Sequence, residues 1–195
     1  RRVLFRSYAV LRVKIFFYFH PENGVKLFRR LKKALARSDR SCHARLLAAM
    51  ADISEKVDDQ DFSISDLGDQ AMTILESDAD LGRLSKAIEV LVKASESRSI
   101  PSIIKIMIKS IGGLDNFQNY QFVETSLLAL KRLGGEPVIR LLINPSSETA
   151  IRQLRLEWRG QNEKLLNETF SVLQRLDADF AQVMLKVVDL SDFNL

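Results

Sequence analysis

Cysteine is nearly missing from this 195-residue chain: Cys42 is alone. No intramolecular disulfide can therefore frame the fold, and a single thiol fits a reducing, cytoplasmic setting. Glycine and proline are scarce, at eight and four, whereas Leu, Ile, Ala, Lys and Glu are plentiful. That balance favours helix over sheet. The two histidines, His20 and His43, together with one cysteine fall short of a structural zinc set. G-x-x-x-x-G-K-[ST], G-x-G-x-x-G and H-E-x-x-H are all missing, which removes the usual sequence marks of phosphate cradles and zinc proteases. Long apolar runs are missing too. Tyr8 to Phe19 is shorter than the ~20 residues a spanning helix needs, and it contains Arg12 and Lys14.

The remaining chemical candidates are weak. Cys42 and His43 are neighbours on an expected helix, where side chains point about 100° apart, so they do not form a nucleophile–base pair. The acidic run VDDQDFSISD (57–66) lacks the sixth-position glycine and twelfth-position glutamate of a calcium loop and reads as a solvated connection between helices. The pairs Gly112-Gly113 and Gly134-Gly135 read as helix ends. The expectation is a protein that is not an enzyme and needs no cofactor or metal.

The first seven residues, RRVLFRS, resemble the translation of a short-read sequencing adapter and are set aside as non-native. The rest is then expected to be a piece of a longer chain. Without Arg1, Arg2 and Arg6 the net charge falls from +4 to +1, and the pull of a basic pI toward nucleic acid lapses. Charge is nevertheless unevenly placed. Residues 8–56 carry 11 Lys and Arg against 4 Asp and Glu, whereas residues 57–80 carry 8 acids and no base. Such blocks either guide a partner or face each other and cancel.

Helical spacing dominates what is present. In GVKLFRRLKKALARS, Phe28, Leu31 and Leu35 form an apolar stripe, and Lys26, Arg29, Arg30, Lys33 and Arg37 line the other side. CHARLLAAMADISEKV places Leu46, Leu47, Met50 and Ile53 inward. Helices follow over about 66–76, with Leu67, Ala71, Ile74 and Leu75 inward, and from a cap at Asp80 through Leu84, Ile88, Leu91 and Val92. Pro101 suits a first helical turn. A helix over about 118–133 stops at Gly134-Gly135, Pro137 opens a short one, and Asn144-Pro145 closes it. Ser146 or Ser147 caps the stripe Ile151–Leu154–Trp158, which runs to Gly160 and is read as core. The last two helices span roughly 163–176 and 178–190.

These helices also repeat. LKRLGGEPVIRLL (130–142) and LQRLDADFAQVML (173–185) match at an offset of 43 residues, and AIEVLVKASESRSIPSIIKIMI (87–108) follows the same helix–turn–helix logic. Helix pairs recurring at that interval mark HEAT-type arrays, in which Leu91, Ile103, Leu130, Ile139, Leu173 and Val183 are expected to line one shared core. SIPSIIKIM (99–107) resembles the A-V-P-x-L-x-x-L second helix of bacterial HEAT repeats, and ALKRLGG (129–135) resembles their A-L-x-x-L-G turn. The resemblance covers residues 85–143 well, and 43–76 and 164–190 loosely. The family's D-P-x-V-R opening is missing, since Glu124 follows Val123 where arginine is usual.

The resemblance implies an all-α, right-handed α-solenoid of about four antiparallel helix pairs. Residues 8–190 would form one repeat domain, with 191–195 as a tail. It also implies a scaffold that binds a protein partner or a neighbouring domain of its own chain. Binding of nucleic acid or an anionic surface through the basic helix 26–37 ranks second, and a membrane ranks lower still. An enzyme-associated repeat, like the bilin-lyase relatives of these proteins, ranks last. The candidate partner-binding residues are Lys26, Arg29, Arg30, Lys33 and Arg37.

Overall fold

A computed structural model of the protein describes residues 24–37, 40–54, 64–77, 79–111, 117–158, 163–176 and 178–187. Among these residues the regular structure is helical and no strand occurs, as the composition and periodicity led one to expect. The expectations placed on residues 1–7, the apolar run 8–19, His20, the acidic loop 57–63, Gly112-Gly113, Gly160 and the tail 191–195 lie outside the described residues. The chain divides into two compact units, one ending at Glu96 and the next beginning at Ser97.

The first unit contains α1 (Gly24–Arg37), α2 (Arg40–Ser54), α3 (Ile64–Leu75) and α4 (Leu81–Lys93). α2 packs against all three others, and α3 also packs against α4. Its sequence explains that central place. Leu46, Leu47, Met50 and Ile53 are buried as the spacing predicts, and so are Ala44, Ala48, Ala49 and Ala51. Small residues on the flanks of the stripe let neighbouring helices approach from more than one side. Lys93 at the end of α4 bonds Asp52 on α2 at 2.6 Å, which ties the two helices at one end.

Capping sets the limits of α4. The Asp80 carboxylate accepts the Arg83 backbone N–H at 3.0 Å and the Arg83 guanidinium at 2.6 Å. At the other end Ser95 adopts a left-handed backbone, φ 52°. The Glu96 N–H then reaches the Leu91 carbonyl and the Ser95 N–H reaches that of Val92, closing the helix in a Schellman turn. Ile74 and Val92, expected inward, are only half-buried, while Val90 is fully buried.

The second unit contains a short 3-10 turn (Ser97–Ser99), α5 (Ile100–Ile111), α6 (Phe117–Ile143), α7 (Glu148–Glu157), α8 (Glu163–Leu173) and α9 (Ala178–Val187). α5 is its central helix, with α6, α8 and α9 all packed against it. Ile100, Pro101, Ile103, Ile104 and Met107 are buried accordingly. Pro101 sits in the first turn, where its missing N–H has no helical partner to lose.

α6 breaks at Gly135, whose φ of 72° and ψ of −176° lie outside the helical region. The second arm after the break carries Pro137 in its first turn and a Glu136–Arg140 ion pair of 2.6 Å. Gly134 must be small for a different reason. A Cβ there would lie 2.6 Å from Val138 Cγ2 and 3.2 Å from Ile100 Cδ1, so α5 packs close against the break.

Two expectations of helix phase and length need correction. α7 is capped by Ser147, which accepts the Ala150 N–H, but it ends at Glu157 rather than Gly160. Trp158 is the C-cap residue and is half-buried; Ala150 and Leu154 are the buried positions. In α9 the expected core residue Val183 is half-buried, and Phe180 and Met184 face inward instead. Those two stand four apart, one above the other on a helix, and they present the larger side chains to the core. Leu91 is buried in the first unit, and Ile103, Leu130, Ile139 and Leu173 in the second.

Candidate interaction face on α1

α1 contains no acidic residue. Leu27, Phe28, Leu31 and Leu35 are buried, and α1 packs against α2. At about 100° per residue, the opposite edge carries Lys26, Arg30, Lys33 and Arg37 within an arc of about 60°, with Arg29 about 60° to one side. All five predicted residues are exposed, and so is Lys32. The edge from Lys26 to Arg37 runs about 16 Å at 1.5 Å per residue. Arg29 takes part in an interaction within the fold. Among the described residues, no ion pair engages Lys26, Arg30, Lys32, Lys33 or Arg37. Arg37 lies in the last turn, where the negative end of the helix dipole favours a cation.

The described acidic residues of the 57–80 block fall on or just past α3 and at the start of α4. Asp66 and Asp69 are exposed on α3 and Glu76 in the turn just past its end, Asp69 takes part in an interaction within the fold, and Asp80 caps α4. Partial burial pushes the Asp80 carboxyl up, but the Arg83 backbone N–H and guanidinium together outweigh it and hold the group below its ordinary value.

Cys42 and His43 are half-buried at the start of α2, and each already has a partner in the fold. Among the described residues no cluster of three or more His, Cys, Asp and Glu has the arrangement of a metal site, and no helix is long and apolar enough to cross a membrane.

Sequence reasoning passed over one surface feature in the second unit. A shallow open depression of about 400 Å³ runs along α7, lined by Glu148, Ile151, Arg152, Arg155 and Leu156. Leu156 is 60% exposed, and the Arg155 guanidinium lies 5.6 Å from the centre of the Phe170 ring. The available signal was Leu156 itself, an apolar residue off the Ala150–Leu154 stripe. Neither Glu148 nor the arginines beside it have the paired, buried setting that acid–base chemistry needs. Compared with known proteins, the chain matches no family model, no curated protein and no solved structure.

Proposed function

We propose that this chain is a non-enzymatic helical scaffold that binds a protein partner, or a neighbouring domain of its own chain, by surface complementarity. The observation that carries the reading is the basic edge of α1, where Lys26, Arg30, Lys33 and Arg37 stand exposed opposite a buried stripe. Such an edge attracts an acidic surface, and the attraction weakens with salt. The kinship we propose is with HEAT repeats, on the strength of the 43-residue offset and the turn motif at ALKRLGG. A right-handed row of about four helix pairs is the form that kinship implies. Against an open row inside the second unit stands α5, which touches both α8 and α9; in a row, each repeat meets only its neighbours. The scaffold reading needs exposed helix faces and does not depend on the row. A cytoplasmic setting belongs to the same proposal, resting on the single cysteine.

Binding of nucleic acid or another anionic surface through residues 26–37 is the second reading, favoured by a helix with six cations and no acid. It is weaker because the one aromatic residue of α1, Phe28, is buried and unavailable for base stacking. A charge-reversal set at Arg29, Arg30 and Lys33 separates these outcomes. With the helical circular dichroism unchanged, loss of a co-purifying protein supports the scaffold. Loss of nucleic acid alone supports the second reading. Unchanged binding removes α1 from both.

A further inference from the structure

We propose that the basic edge of α1 docks on the acidic edge of α3 in a second copy of this chain, so that two copies pair reciprocally. The inference rests on the protein-binding reading above and names the partner. Asp66, Asp69 and Glu76 are exposed and, at about 100° per residue, fall within an arc of about 80°. They span about 15 Å, close to the 16 Å of the α1 edge. With the two helices antiparallel, Arg37 at the negative end of the α1 dipole meets Asp66 at the positive end of α3, and Lys26 meets Glu76.

Both edges belong to the same compact unit, so one two-fold axis would make both contacts at once, α1 on α3 and α3 on α1. Within one copy no ion pair engages Lys26, Arg30, Lys33 or Arg37 among the described residues, whereas Arg29 and Asp69 each already take part in an interaction within the fold, so the pairing rests on Lys26, Arg37, Asp66 and Glu76.

Other anionic occupants fit less well. A bilayer-seeking helix needs its apolar face for the lipid, and that face of α1 is buried. An extended nucleic acid would continue past a 16 Å edge on a unit that also exposes Asp66, Asp69 and Glu76.

The test is sedimentation velocity of the whole chain across a concentration series. Wild type should self-associate at about 0.01 M salt, where charges act over roughly 30 Å, and become monomeric near 1 M, where they act over roughly 3 Å. K26E/R37E alone and D66K/E76K alone should each stay monomeric at low salt, and a mixture of the two, in which both facing pairs are reversed together, should restore a dimer. Glu76→Lys, just past the end of α3, mixed with Lys26→Glu serves as the reversed pair if D66K/E76K loses its helical signal. A wild type that is monomeric at low salt would overturn the pairing, as would single variants that still associate or a mixture that does not. Those results leave the capture of a different protein to the Arg29, Arg30 and Lys33 set, so the two readings fail separately. Binding of a single-stranded oligonucleotide by monomeric wild type, abolished in K26E/R37E, would assign the edge to nucleic acid instead.

Discussion

Asp80 shows one side chain doing two jobs at a helix start: it satisfies the Arg83 N–H and pairs with the Arg83 guanidinium. Asp80→Ala should destabilise the first unit by about 1 kcal/mol, with Asp80→Asn losing less because an amide oxygen still caps. The pH dependence follows from the lowered carboxyl. Its contribution is fully present above the ordinary value of 3.8 and disappears as pH falls through the lower folded value. Denaturant melts of the three proteins at neutral and acid pH check this; a Asp80→Asn loss equal to that of Asp80→Ala would contradict the cap. This site was legible, since an aspartate ahead of an apolar-periodic run is a start signal. Ser95 was not, because a left-handed helix end usually announces itself with glycine. Thr169 was equally hidden. It is fully buried with its hydroxyl unpartnered among the described residues, whereas buried Ser126 donates to the Phe122 carbonyl at 2.8 Å. Thr169→Val should leave the melting temperature unchanged or raise it, since it removes a polar group that burial penalises. A clear fall would mean that the hydroxyl has a partner.

Among whole elements, α1 read correctly because its polar and apolar residues separate cleanly. α2 read only in part, since a central helix that buries Ala44, Ala48, Ala49 and Ala51 beside Leu46, Leu47, Met50 and Ile53 blurs the period that marks a single face. α9 misled by one position: Val183 was expected inward, whereas packing placed Phe180 and Met184 there, the positions that the 43-residue offset sets opposite buried Pro137 and Leu141. The break in α6 was visible as Gly134-Gly135 followed by Pro137, and its geometry makes a firm demand on Gly135. Its φ of 72° with ψ near 180° is a conformation nearly reserved for glycine, so Gly135→Ala should cost about 1–3 kcal/mol. Leu130 lies one turn before the break and is fully buried. Leu130→Ala should cost about 2–5 kcal/mol, the range for a leucine truncated in a packed core. Urea denaturation measures both, and a loss under 1 kcal/mol at Leu130 would contradict its place in the core.

For the molecule as a whole, composition and periodicity pointed to helices, and only helices occur among the described residues. Division at Glu96–Ser97 was not legible, because the boundary falls in a turn with neither glycine nor proline, between two well-formed helices. The candidate face was legible by residue number, while its openness depended on what packs beside it, which spacing alone does not reveal. The most direct test of protein binding through α1 is site-specific photo-crosslinking. Benzoylphenylalanine would replace Lys33 on the basic edge and, as a control, Lys164, which is exposed on α8 in the other unit. The expected result is a discrete protein adduct from position 33, lost at high salt, and none from position 164. Equal adducts from both positions, or an adduct at position 33 with nucleic acid and no protein, would contradict it.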